Sequence, residues 1–343
     1  EICAFIHKNV QIVQGSVLGR RIRYSLSMLD LLSDILTSLS MRGSLYFRTS
    51  FTQPWGVAVP SYENVARFHY AHRGGCLVSV GDSAETVSLE QGDLIIIPHG
   101  SSHQLFCSHD SKEVVLELET VLQKSGYTGE GALVYGGEIP NSETQLICGH
   151  FSFDMRAKHI LLERLPPFIH LENYGENAGK WMEATLRVIG DEAGGQRMGG
   201  DLIALKMSEA ILAQAIRSFI ESDDALNWGL GGFSDANLRR ALDAFHKAPS
   251  QVWTVETLAN EAGMSRTGFA VLFQKKMAMT PMEYVTAWRI EIAKRLLIQP
   301  KNTLTDAAEG AGYASDSAFA RVFKKETGMT PAGYKRSVFS DHS

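Results

Sequence analysis

The spacing of hydrophobic and polar positions changes twice along this 343-residue chain. Over residues 28–41, Leu29, Leu32, Ile35, Leu36 and Leu39 recur at helical spacing and predict an amphipathic helix. From Ser44 to about Cys148 the period shortens. Runs such as LYFRTSF, GVAVP, CLVSVG, DLIIIP and TQLICGHFSF are separated by Gly, Pro, Ser and Asp, which predicts short strands of an antiparallel barrel or sandwich. The run SKEVVLELETVLQKSG fits a strand and a helix equally well. Pro166 and Pro167 close this region. Two helical patterns follow, at about 178–192 and 201–221, with Gly-rich DEAGGQRMGGD between them and Asp201 in the N-cap position of the second. DDALNWGLGGFSD reads as a polar, Gly-rich linker, and from Asp235 the pattern is helical almost to the end.

The last third contains an internal repeat. Phe269, Phe273, Thr280, Pro281 and Tyr284 return as Phe319, Phe323, Thr330, Pro331 and Tyr334, and Ala262-Gly263 returns as Ala311-Gly312. In each copy a short helix (258–262, 307–311) ends at Gly, which accepts the left-handed backbone of a tight turn. A capped second helix follows. Its inward face carries Phe269, Leu272 and Phe273 in one copy and Phe319, Val322 and Phe323 in the other. The outward face carries Arg266, Thr267, Ala270 and Gln274, and in the second copy Ser315, Asp316, Ser317, Arg321 and Lys324. Helix, Gly turn and helix with a polar outer face define a helix-turn-helix, whose second helix is of a size to enter the major groove. PMEYVTAWRIEIAKRLLI joins the copies as one long helix with Pro281 near its start, and would set the two reading helices about one DNA turn, ~34 Å, apart.

These motifs, together with GYASDSAFARVFKKETGMTPAGYK, resemble the DNA-binding domain of AraC/XylS-type transcription regulators over residues of about 235–338. The resemblance implies base contacts from Thr267, Ala270 and Val271 in the first unit and from Ser317 and Arg321 in the second. The first set is unusually apolar, so methyl and phosphate contacts are expected from it and hydrogen-bonded readout from the second.

A second constellation lies among the strands. Gly92, Pro98, Gly100 and His103 follow the spacing G-x5-P-x-G-x2-H, with Cys107 four residues on, and His69, Ala71 and Cys76 fall on the spacing H-x-H-x4-E. Both resemble cupin motifs, and residues of about 28–210 are similar to the cupin-type sensor domain that precedes this DNA-binding domain in part of the AraC family. In that comparison His69 and His103 keep metal-ligand positions, Ala71 replaces a His with His72 one residue late, and Cys76 replaces the Glu. Three readings stand open. The motifs can merely shape a turn around a concave apolar pocket. His69, Cys76 and His103, with Cys148, can converge on Zn or another divalent metal. Cys76 or Cys148 can sense oxidants, which requires a lowered thiol pKa. His99, His109 and His150 read as surface or packing residues. With two ligand positions replaced, residual catalysis by a cupin metalloenzyme is the alternative function.

The overall charge of −5 would disfavour a nucleic-acid partner, but it is unevenly placed. From Ser234 onward there are 15 Lys+Arg and 11 Asp+Glu, and the remaining 18 and 27 precede it, so a −9 part leads into a +4 part. Four scattered cysteines make no disulfide framework, and no apolar run reaches the ~20 residues that span a bilayer. The expectation is therefore an α+β protein with no membrane association, cytoplasmic, in three parts. Residues 1–27 are an upstream extension, 28–225 a cupin-like β-barrel with connector helices, and 235–338 an all-α domain with two helix-turn-helix units. Its expected partners are double-stranded DNA, RNA polymerase, an effector of unknown identity and a second copy of the chain, and its expected role is that of an activator.

Overall fold

The structure, a computed structural model, describes residues 31–38, 43–81, 86–129, 131–153, 160–172, 184–185, 188 and 198–340. The extension 1–27 and nearly all of the helix expected over 178–192 lie outside them. The expected first helix is present as α1 (Leu31–Ser38).

Eleven strands follow among the described residues: β1 (Gly43–Thr52), β2 (Gly56–Val59), β3 (Val65–Arg73), β4 (Cys76–Val80), β5 (Thr86–Leu89), β6 (Leu94–Ile97), β7 (His103–Phe106), β8 (Leu116–Glu117), β9 (Ala132–Gly136), β10 (Glu143–Ser152) and β11 (Ile169–Leu171). Helices α2 (Leu118–Ser125) and α3 (Ile160–Glu163) interrupt them. The ambiguous run divides between the two alternatives, two residues going to β8 and the next eight to α2. The strands form one sheet in the order β11-β6-β3-β10-β1-β9 and another in the order β5-β4-β7-β2-β8. The expected barrel is thus a two-sheet jelly roll, not a cylinder closed by hydrogen bonds. Pairing is antiparallel except for β1 with β9 and β2 with β8.

The inner faces of both sheets share one core. Phe51, Ala71, Ile95, Ile97, Leu146 and Cys148 meet Val57, Val59, Cys76, Val78, Val80, Leu89 and Leu105. The outer face of the larger sheet is also apolar. Ala66, Phe68, Tyr70, Leu94, Ile96, Ile147 and Phe151 bury themselves in a second core with helical residues. β3 therefore lies between two cores. This is why VARFHYAHR lacks the polar/apolar alternation that marks a half-exposed strand.

Helix α4 (Gly200–Glu221) matches the expected 201–221 pattern, but its N-cap is Gly199, so Asp201 falls in the first turn. The expected linker is packed. Ala225, Leu230 and Phe233 are buried in the second core, and a Cβ at Gly232 would collide with the Met277 side chain. The glycines there allow close approach between segments and give no slack.

Seven helices complete the described chain: α5 (Ala236–Lys247), α6 (Val255–Ala262), α7 (Arg266–Met277), α8 (Pro281–Leu297), α9 (Leu304–Gly310), α10 (Asp316–Thr327) and α11 (Pro331–Ser340). Their ends follow from side chains. Asp235 accepts from the amides of Asn237 and Leu238, Thr254, Thr280 and Thr303 each close a capping box, and Pro281 occupies the first turn of α8. Helix α8 is the shared spine of the repeat. Tyr284, Val285 and Trp288 in its first half pack with Phe269 and Phe273, and Ile290, Ala293 and Leu297 in its second half pack with Phe319 and Phe323.

Candidate functional site

Each helix-turn-helix has the turn its sequence requires. Gly263 closes α6 with φ of 69°, and Gly312 follows α9 with φ of 79°. Ser265 then caps α7 through the Gly268 amide, and Ser315 caps α10 through the Ala318 amide. This geometry turns one face of each second helix inward. Phe269, Phe273, Phe319 and Phe323 are each 1% exposed or less. The opposite face is open. Arg266, Thr267, Val271 and Gln274 on α7 are exposed, and Ala270 is half-buried between them. Val271 is 64% exposed, a large apolar side chain at the surface without an internal reason. On α10, Asp316, Ser317, Arg321 and Lys324 are exposed, as is the cap residue Ser315. Two of these also serve the fold, Ser315 as the cap and Asp316 by accepting 2.9 Å from Thr305 Oγ1.

Within the jelly roll, β3, β7 and β10 bring together three of the four candidate side chains. Register sets His69 opposite Cys148. His69 Nδ1 lies 3.0 Å from Cys148 Sγ, His69 Nε2 lies 2.8 Å from His103 Nε2, and His103 Nδ1 lies 2.9 Å from the Ser101 carbonyl. One neutral arrangement satisfies all of them. The carbonyl accepts from His103 Nδ1–H, so His103 Nε2 accepts from His69 Nε2–H, and His69 Nδ1 accepts from the Cys148 thiol. Burial favours this neutral form. Burial, then His103, then Arg67 hold His69 well below the usual imidazole pKa. Burial lowers His103 to about 4, with the Ser101 carbonyl opposing and Arg67 assisting.

The grouping of His69, Cys76 and His103 around a metal does not form. His103 is in register with Val80 at the far end of β4 from Cys76. Four residues of strand, about 13 Å, separate that position from Cys76. Both His69 nitrogens are already engaged, on opposite edges of the ring. Among the described residues no three His, Cys, Asp or Glu side chains converge to hold a metal ion. The donor set does not fit one. The thiols run opposite to the oxidant reading as well. Burial, then Cys107, raises Cys76 to about 12, and burial, then Cys76, raises Cys148. A reactive thiolate needs the reverse. Cys107, where cupins often carry Asn, serves the fold. Its sulfur accepts from the Trp55 amide at 3.3 Å and pairs with Ser111 Oγ at 2.9 Å.

The turn of the second motif is fixed by Gly100, with φ of 63°. Any Cβ there would strike the Tyr62 and Val65 carbonyls. Beside it, exposed His99 donates from Nε2 to the Leu165 carbonyl at 2.8 Å. The residue before Leu165, Arg164, donates from Nη1 to the carbonyls of Met277 and Gly229. A cation thus closes the C-terminal end of α7, where helix carbonyls lack partners. Segment 160–165, from the jelly-roll part of the chain, holds the C-terminal end of α7 directly. Sequence reasoning missed Arg164, because no local pattern announces a contact 113 residues away.

Two helix-turn-helix units on a shared spine, joined to a jelly roll, define a DNA-binding regulator with an attached cupin-type domain. Comparison with known proteins agrees. The cupin family profile matches residues 30–221 and the helix-turn-helix domain profile residues 258–337. A putative AraC-like transcription regulator of Streptomyces lividans is 31% identical over 90% of this chain and 98% of its own. The HTH-type transcriptional regulator AlkR of Acinetobacter baylyi is 26% identical over 90% of this chain and 99% of its own. Among solved structures, the DNA-binding domain of AdpA in complex with a target DNA matches at 26% identity over 29% of this chain and 91% of that one, with a TM-score of 0.29. The chain belongs to the AraC-like family of transcription regulators. It is a DNA-binding regulator, not an enzyme, and its partner is double-stranded DNA. No helix among the described residues is long and apolar enough to cross a membrane.

Proposed function

We propose that the chain is a one-component activator whose jelly-roll domain registers a small effector and whose two reading helices occupy adjacent major-groove segments. The observation that carries the DNA half is the pairing of exposed faces on α7 and α10, both built on α8. Thr267, Ala270 and Val271 make apolar contacts to bases, Ser317 and Arg321 read bases by hydrogen bonds, and Arg266, Gln274, Lys324, Ser315 and Asp316 lie along the same surface. Arg321→Ala is expected to weaken specific binding by ~1–3 kcal/mol and relax one base position. Footprinting and affinity on a variant-operator set test this, and unchanged values at every position would remove Arg321 from the interface.

The sensor half acts through the grip of Arg164 on the first reading helix. An effector favours one arrangement of that contact over another. Arg164→Met removes charge-assisted hydrogen bonds to two carbonyls and is expected to cost ~1–3 kcal/mol. Amide exchange across residues 276–280 should accelerate and the response of operator affinity to effector should fade. Exchange unchanged there, with the response intact, would sink this route. The chain acts as a homodimer that contacts RNA polymerase. Supporting the dimer, Met198, Leu202 and Ile203 stand exposed at the start of α4. Sedimentation of the full chain and transcription from a cognate promoter check these two statements.

A further inference from the structure

One charged side chain inside the jelly roll has no counter-charge among the described residues. Arg67 lies on β3, two residues before His69 and on the same inward face, and is only 8% exposed. Among the described residues its charge meets no carboxylate. Its neighbours are the Tyr62 hydroxyl, the Cys148 thiol, and the imidazoles of His69, His103 and His150. Its Nε is buried without a hydrogen-bond partner. The guanidinium is 4.4 Å from the centre of the Tyr62 ring, which stands 47% exposed over it. Tyr62 therefore meets the charge with its ring face and with a hydrogen bond to its hydroxyl, a weak substitute for an anion. Burying a cation in this state is costly, and nothing in the packing requires it.

We propose that Arg67 anchors the anionic group of the effector, a small monoanionic organic carboxylate that enters beneath Tyr62 and takes up the free Nε together with a neighbouring guanidinium N–H. The fork of Nε and Nη matches the two oxygens of a carboxylate. The charge balance selects a monoanion. Among the described residues the site holds one cation, and burial holds its nearest imidazoles neutral, so a phosphate dianion would be left half-compensated. Val59, Val80, Ile97 and Leu105 form the aliphatic core beside Arg67 and His103. The site also touches the rest of the machine. The Tyr62 amide donates to the Gly100 carbonyl at 2.9 Å, one residue from His99 and its bond to Leu165. This inference rests on the reading of the jelly roll as an effector domain.

The test uses the full chain, its Arg67→Met and Arg67→Lys variants, and melting curves in an anion-poor buffer. A residue kept for stability would lower the melting temperature when replaced. A residue kept for a ligand would leave it equal or higher in R67M, and that is the expected result; a clear drop in R67M overturns the proposal. Acetate, butyrate and benzoate are then titrated beside acetamide, butyramide, benzamide and inorganic phosphate. At least one carboxylate should raise the melting temperature of the wild type saturably. Its amide should not, R67M should lose the rise, and R67K should need at least tenfold more ligand. No rise with any carboxylate, or an equal rise in R67M, overturns the site, and a rise with phosphate equal to that with carboxylate overturns the ligand class. Operator affinity measured with each probe separates the two readings. Carboxylate binding that needs Arg67 but leaves DNA affinity unchanged keeps the site and removes its sensor role. A neutral probe that alters DNA affinity in wild type and R67M alike keeps the sensor role and removes the site.

Discussion

Replacing Trp288 by alanine should destabilise the protein by ~3–5 kcal/mol and remove operator binding by both reading helices. Trp288 sits midway along α8, 5% exposed, with its ring 4.0 Å from that of His246 and under the Arg295 guanidinium at 5.5 Å. It fills the second core where α8 meets α5 and the first helix-turn-helix, two and five residues before Ile290 and Ala293 enter the second unit's core. A cavity there loosens the helix on which both units depend. Denaturant unfolding gives the cost, and anisotropy on operator DNA gives the loss. A change below 1 kcal/mol with binding retained would show that the two units do not depend on this spine.

The second large effect is of acid. Three imidazoles are kept neutral by the fold, two buried and His246 half-buried: His69 well below its usual pKa, His103 at about 4 and His246 at about 3, each chiefly by desolvation. An unfolded imidazole titrates near 6.5, so as pH falls below that value the unfolded chain takes up protons first. Stability is therefore fully present above about pH 6.5 and lost as pH falls towards the folded values. By pH 5, His103 and His246 should each have cost about 2 kcal/mol, and His69 adds in the same direction. That is a large part of an ordinary domain's stability. Urea midpoints from pH 8 to 4.5 check this. A flat profile between pH 7 and 5 would contradict the neutral hydrogen-bonded chain from Ser101 to Cys148, as well as the neutral pairing of His246 with the Tyr284 hydroxyl at 2.9 Å.

The C-terminal half was legible because its signals are local. Gly263 and Gly312, the paired phenylalanines and Pro281 act within a few residues of themselves, and the structure places each as the spacing implied. The jelly-roll half was legible where Gly, Pro, Ser and Asp bound short β-rich runs, even wholly buried ones such as Leu94–Ile97. β3 carries Arg67 and His69, yet it escaped the strand pattern because Phe68 and Tyr70 on its other side are buried too. The segment 223–235 was misread for a related reason. Its glycines and acidic residues outnumber Ala225, Leu230 and Phe233, but those three decide its place. Cys76 shares a motif spacing with His69, and the family resemblance groups both with His103, but the β4–β7 register sends Cys76 to the other end of the sheet from His103, and register is a property of pairs of strands. Arg164 and Arg67 draw their meaning from partners far along the chain, or from the absence of one, and composition records neither.

The shared helix α8 has a consequence for the DNA. Both reading helices are packed onto a single uninterrupted helix of 17 residues, with Thr280 capping its start and Pro281 in its first turn. Such a support has no hinge with which to follow a displaced target. With α7 and α10 in adjacent major-groove segments, as proposed, the operator is expected to present its two contact blocks on one face of the duplex at a single spacing. Inserting five base pairs between them would rotate the second block by about half a turn, out of reach of α10, and a full turn of ~10 base pairs would restore the face but not the distance. The promoter sites of this regulator are thus expected to share one internal length, with variation confined to the bases themselves.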